Sequence, residues 1–103
     1  MYSLVFYVPE THLEVVKDAV FAVGGGQIGD YEKCCWQTLG QGQFKPTANA
    51  TPFIGEAGGD VESVDEYRVE MVLKSELKVQ VVTALKSAHP YEEVAYHLIS
   101  IET

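Results

Sequence analysis

Basic residues are scarce in this chain of 103 residues: 7 Lys and Arg stand against 15 Asp and Glu, for a formal net charge of -8. A nucleic-acid backbone is held by cationic side chains that displace its counterions, so this balance excludes nucleic acid as a partner class. No apolar run approaches the roughly 20 residues that cross a bilayer; stretches such as Leu4 to Val8 and Val79 to Val82 are far shorter. Met1-Tyr2-Ser3 does not open the basic and then apolar stretch of a signal peptide, so a cytoplasmic location away from membranes is expected. Cysteine is nearly absent. Cys34 and Cys35 are neighbours without CxxC spacing, and in an extended strand their side chains would point to opposite faces. Both are expected to be reduced, half-buried strand residues. No Ser/His/Asp set, nucleotide loop or zinc-spaced Cys/His array is visible, so no catalytic residue is assigned.

What is present is enough apolar material for one core. A 47% hydrophobic and 21% charged composition excludes disorder, and the length fits one domain over residues 1–103. Residues 2–8, Tyr-Ser-Leu-Val-Phe-Tyr-Val, form a β-branched and aromatic run that stops at Pro9 and reads as a central strand. Thr11-His12-Leu13-Glu14 has the form of a capping box. Leu13, Val16, Val20 and Val23 follow at helical spacing, and Gly24-Gly25-Gly26 reads as the terminator. Glycines after a helix suit capping better than phosphate binding, which wants them before one.

The stretch from Asp30 to Phe44 reads as a long strand bent at Gly40 and Gly42, and Thr47 to Asp60 as an irregular loop with a short strand at Phe53-Ile54. Tyr67, Val69, Met71 and Leu73 alternate with Arg68, Glu70 and Val72, which predicts a half-buried strand. Ser75 is a candidate cap for a second helix with the stripe Leu77, Val81, Ala84, Leu85 and Ala88, ending at His89 because Pro90 follows. Val94 to Ile101 is apolar at both parities and reads as an inner strand. The order βαββαβ predicts an α+β, ferredoxin-like two-layer sandwich: an antiparallel sheet with two helices on one face. Strands apolar on both faces would leave a monomer with an exposed patch, so self-association through the free face or a sheet edge is expected, unless the long loop folds back over it.

The densest cluster of functional side chains is His89-Pro90-Tyr91-Glu92-Glu93, with His97 four residues on. Imidazole and carboxylates at such a junction suit a divalent metal or proton transfer, and His89, Glu92, Glu93, His97 and His12 are the metal candidates. The bland readings are an imidazolium favoured by a helix C-terminus for His89, solvated side chains for Glu92 and Glu93, and packing for Tyr91.

Three segments carry a resemblance: Pro9-Glu10-Thr11-His12; Gly26-Gln27-Ile28-Gly29-Asp30-Tyr31 with Cys34 and Gly40 to Pro46; and His89-Pro90-Tyr91-Glu92-Glu93-Val94-Ala95-Tyr96. Together with Asn49 to Glu56 they resemble the insert domain of the NGG-interacting-factor-three-like (GTP cyclohydrolase type 2 homologue) family over nearly the whole chain. The resemblance implies a ferredoxin-like domain similar to the CutA and PII signalling proteins, which assemble as trimers through their sheets. It also implies that the two halves of the larger domain, which hold a pair of metal ions in that family, are not in this sequence, so the associated hydrolase-like activity does not carry over. The motif residues that do carry over are Gly26, Gly29, Asp30, Tyr31, His89, Pro90, Tyr91, Glu92 and Glu93.

Three functions compete on this reading. The first is a homo-oligomeric binding or regulatory module, trimeric by resemblance, whose His89–Glu93 corner and Ile28–Tyr31 turn line a cleft for a small ligand or metal ion. The second is a stand-alone metal-dependent hydrolase using His89 with Glu92 or Glu93 and a third ligand from His97 or His12. The third is an adaptor whose acidic loop from Glu56 to Glu66 docks on a basic partner protein.

Overall fold

The computed structural model describes residues 1–103. The elements are β1 (Tyr2–Pro9), α1 (Leu13–Ala22), β2 (Trp36–Phe44), β3 (Glu62–Leu73), α2 (Lys78–Ala88) and β4 (Tyr96–Ser100). The strands form one antiparallel sheet in the order β2-β3-β1-β4. This is the expected ferredoxin-like α+β arrangement. Alternate residues of the two inner strands, Leu4, Phe6 and Val8 on β1 and Val69, Met71 and Leu73 on β3, meet Leu13, Val16 and Val20 of α1 and Val81 and Leu85 of α2 in one core. Each such side chain contributes about 1.5–3 kcal/mol when fully buried.

The period-two and period-3.6 patterns therefore place the core as expected, but the local start signals do not act as read. Neither Thr11 nor Ser75 caps a helix. Each helix is entered through a 3-10 turn, Glu10–His12 or Ser75–Leu77, with no side-chain cap. Thr11 Oγ1 instead bonds His12 Nδ1 at 2.8 Å, and Ser75 Oγ accepts from the N-terminal ammonium at 2.8 Å. The stop signals hold. Gly24 and Gly26 take φ of 104° and 75° after α1, and α2 ends where His89 turns extended.

Four assignments change. β2 begins at Trp36 rather than Asp30, because Lys33 adopts a positive φ of 59° that interrupts extended chain. Cys34 and Cys35 thus precede the strand; Cys34 is half-buried, Cys35 is exposed and both are free thiols. Phe53-Ile54 forms no strand, and β3 starts already at Glu62, so half of the supposed acidic loop is sheet. β4 is an edge strand, not an inner one.

The face away from the helices is built from rows that cross the sheet. Trp36 lies opposite Glu70, Glu70 opposite Val5, and Val5 opposite His97; Thr38, Arg68 and Tyr7 form the next row. Val5 is 3% exposed, whereas Trp36 and Ile99 are 64% and 54% exposed. Loops fold over the two ends of this face: Ile28, Cys34 and Cys35 come against Ser3, Glu70 and Val72, and Pro46 to Ile54 come against Glu66 and Ala95. In the row between them Trp36 and His97, at its two ends, are exposed, while Val5 at its centre is buried.

Candidate functional site

Pro90 forces His89 out of helical geometry, and the chain then turns so that the His89 ring enters the protein beside β1. Pairing of β1 with β4 ends at Phe6 and Tyr96, while Tyr7 still donates its N–H to Ala95 O at 3.1 Å. The Tyr7 carbonyl, on the same side of the strand, is left for the imidazole: His89 Nε2 lies 2.7 Å from it. His89 Nδ1 accepts the Tyr91 N–H at 3.1 Å. Since Nδ1 accepts, the proton sits on Nε2, which donates to Tyr7. Burial pushes the His89 pKa down, against the raising effect of the Tyr7 hydrogen bond. His89 is 6% exposed, and a ring whose Nδ1 accepts a hydrogen bond is neutral, so the imidazolium favoured by a helix C-terminus is not its role.

With its N–H fixed by His89, Tyr91 projects across the end of the sheet and donates its hydroxyl to Glu66 Oε2 at 3.0 Å. Burial first, and then the Glu66 carboxylate, push the phenol well above its ordinary pKa, so it stays protonated. The Glu66 carboxylate lies directly over Gly42 of the neighbouring strand, in space that any Cβ there would fill. Glu92 Oε1 accepts the Thr51 N–H at 2.7 Å, pinning the long loop to the corner. Aromatic rings complete it: Phe44 and Tyr91 are 6.1 Å apart, Phe53 and Tyr91 6.3 Å, and His12 meets Phe53 edge-on at 5.3 Å.

The result is a cleft of about 260 Å³ between the His89–Glu93 corner, the end of the β2-β3 ribbon and the loop. Its walls are Phe44, Pro46, Pro52 and Ile54 on the apolar side and Glu66, Tyr91, Glu92 and Glu93 on the polar side. Of the sequence-derived ligand candidates, Tyr91, Glu92 and Glu93 line this cleft and His89 supports it from behind. Gly26, Gly29, Asp30 and Tyr31 are not there. Gly26 donates to Val72 O at 2.9 Å, and Ile28 and Tyr31 exchange backbone hydrogen bonds at 2.9 Å, which places this turn near Ser3, the partner of Val72 on β1. Ser3 and Tyr7 lie four residues apart along β1, about 13 Å at 3.3 Å per residue. The turn and the corner do not share one cleft.

The metal candidates do not assemble. No three of the His, Cys, Asp and Glu side chains lie close enough to hold one ion. Both His89 ring nitrogens are spent on backbone groups, His97 sits across from Val5 on the open face, and His12 is engaged by Thr11. These residues do not fit the site of a metal hydrolase. Sequence reasoning missed Glu66 and Thr51, whose contacts depend on strand register and loop path. Phe44, Pro46 and Ile54 lay within matched motif segments without a role.

A two-layer ferredoxin-like domain with a loop-covered cleft at one end of its sheet is the class of protein that this fold and site define. Among solved structures the periplasmic divalent cation tolerance protein CutA from Archaeoglobus fulgidus has the same fold, with a TM-score of 0.67 at 16% identity over 100% of this chain and 86% of that one. A Bacillus cereus protein related to NIF3 is nearer in both respects, with a TM-score of 0.81 and 35% identity over 99% of this chain and 26% of that one. The chain is homologous to a segment of the GTP cyclohydrolase 1 type 2 homologs: it is 43% identical over 97 residues to that of Mycobacterium leprae (strain TN) and 42% identical over 100 residues to that of Bacillus subtilis (strain 168). These alignments take in 94% and 97% of this chain but 25% and 26% of those proteins, so the chain spans about a quarter of the relatives' length. No protein-family profile matches it.

Proposed function

We propose that the domain is a homo-oligomeric binding or regulatory module whose cleft at the His89–Glu93 corner takes a small ligand. One observation carries this reading: residues far apart in sequence, Phe44, Ile54, Glu66 and Tyr91, converge on a single hollow held open by hydrogen bonds to Glu66, Glu92 and His89. Few polar groups set among apolar walls is the usual make-up of a small-molecule site. Self-association is supported by the exposed Trp36 and Ile99 on the open sheet face and by two free sheet edges, and a trimer is the assembly we favour. The cleft borders that face through Glu66, which also lines the hollow over Tyr7, Thr38 and Arg68.

The test is an amide chemical-shift screen of the domain against small molecules of mixed charge, run on the native chain and on Ala95→Trp, which fills the cleft from its rim. Ligand-dependent shifts centred on Tyr91, Glu92 and Thr51 that vanish in the variant are the expected result. Shifts that persist unchanged in Ala95→Trp would move the binding site elsewhere.

A further inference from the structure

The chemistry of the cleft walls says what the ligand is. The charged groups that face it are Glu66 from β3 and Glu92 and Glu93 from the corner; no Lys, Arg or His lines it. The nearest cation along β3, Arg68, is held by Glu70 through Nε at 3.0 Å and Nη2 at 2.8 Å, and by the Tyr7 hydroxyl. An anionic ligand, whether phosphate or carboxylate, would enter against three negative charges with no donor cation in the wall. A lone divalent ion is no better, because no three of the chain's metal-ligating side chains are close enough to share one. Carboxylates spread around a hollow of about 260 Å³ suit a larger cation with dispersed donors.

The apolar walls point the same way. Phe44 and Tyr91 stand at a tilt of 56° with centroids 6.1 Å apart, and a ring face attracts a cation within about 6 Å of its centroid. Glu92 uses Oε1 for Thr51, with Oε2 left over, while Glu93 makes no hydrogen bond or ion pair within the chain. The net charge of -8 adds a long-range attraction for positive solutes.

We infer that the cleft binds a small organic cation, a primary ammonium or guanidinium joined to an apolar body, with the charge against Glu93 and Glu92 and the body against Phe44, Tyr91 and Ile54. This rests on the binding reading of the cleft and adds its ligand class.

The experiment titrates three isosteric probes, benzylammonium, benzyl alcohol and benzoate, into the native domain and into Glu93→Gln and Glu92→Gln/Glu93→Gln. Glutamine keeps an acceptor for the Thr51 N–H, and thermal melting verifies that the variants are folded. Benzylammonium alone should shift the Tyr91 and Thr51 amides. Its affinity should weaken about tenfold for each carboxylate neutralised, as expected for loss of a charge-assisted contact, and fall as salt rises. Binding of benzoate or benzyl alcohol at equal or greater strength would overturn the cationic class while leaving the cleft as a ligand site. Silence from all three probes would overturn both.

Discussion

At the scale of single residues, His89 is the side chain on which the corner turns. It bonds β1 on one side and the Tyr91 N–H on the other, so the approach of Tyr91 to Glu66 depends on it. Because burial lowers its pKa in the folded protein, acid favours the unfolded chain, where the imidazole titrates near its ordinary 6.5. The stabilisation is complete above that pH and is lost as pH falls below it toward the depressed folded value. Urea melts between pH 8 and pH 5 should therefore show stability dropping over the acid half of the range, at up to about 1.4 kcal/mol per pH unit. His89→Gln retains a donor for Tyr7 O but cannot be protonated. It should cost about 1–2 kcal/mol at pH 8 from the lost Tyr91 bond and flatten the acid dependence. A variant with the native slope would assign that slope to other groups. The sequence exposed His89 as a junction residue through Pro90, but not its burial: that is decided by the end of β1-β4 pairing, which no local pattern encodes.

At the scale of elements, periodicity and the helix stop signals were reliable and the helix start signals were not. β1, α1 and α2 follow from apolar spacing because the spacing is what the core demands, and the α1 terminator follows from glycine at positive φ. The capping residues failed because Thr11 and Ser75 fall inside the 3-10 turns that lead into the helices, where the N-cap positions belong to His12 and Leu77. β4 was misplaced to the sheet interior because apolar residues at both parities cannot distinguish burial by a neighbouring strand from an exposed edge such as that of Ile99. The cleft was half legible: the His89–Glu93 motif was visible, while Glu66 and Thr51 enter only through register and loop folding. The connection from α1 to β2 offers a clean test of the glycine argument. Gly26 has φ of 75° and a Cβ there would stand 2.6 Å from the Cys34 carbonyl oxygen, whereas Gly29 has φ of 56° with nothing within 4 Å. Gly26→Ala should destabilise by about 2–4 kcal/mol from strain plus collision. Gly29→Asn, an asparagine in left-handed geometry, should cost about 1 kcal/mol or less. Chemical denaturation of both variants distinguishes them, and equal losses would mean that space around the turn does not matter.

For the whole molecule, the helices shield one face of the sheet and the loops shield only the ends of the other. β2 is exposed over Trp36–Gln41 and its outer edge has no partner. Trp36, 64% exposed, begins the row that runs through Glu70, Val5 and His97, and Ile99, 54% exposed, lies opposite Ser3 in the adjoining row. Burying two such side chains contributes about 1.5–3 kcal/mol each, while a charge of -8 on every copy opposes assembly. Sedimentation should give about three times the 11.4 kDa chain mass, and Trp36→Glu or Ile99→Glu should shift it toward the monomer by placing a carboxylate in the contact. Added salt decides which force dominates. If apolar contact drives assembly, screening the mutual repulsion strengthens it between low and physiological ionic strength, where the Debye length shrinks to about 8 Å. Weakening by salt would instead require ion pairs between copies, with Arg68 released from Glu70 to form them, and would move the interface from the Trp36 row to the Arg68 row. A native chain that sediments as a monomer at every salt concentration would leave the open face to a different protein.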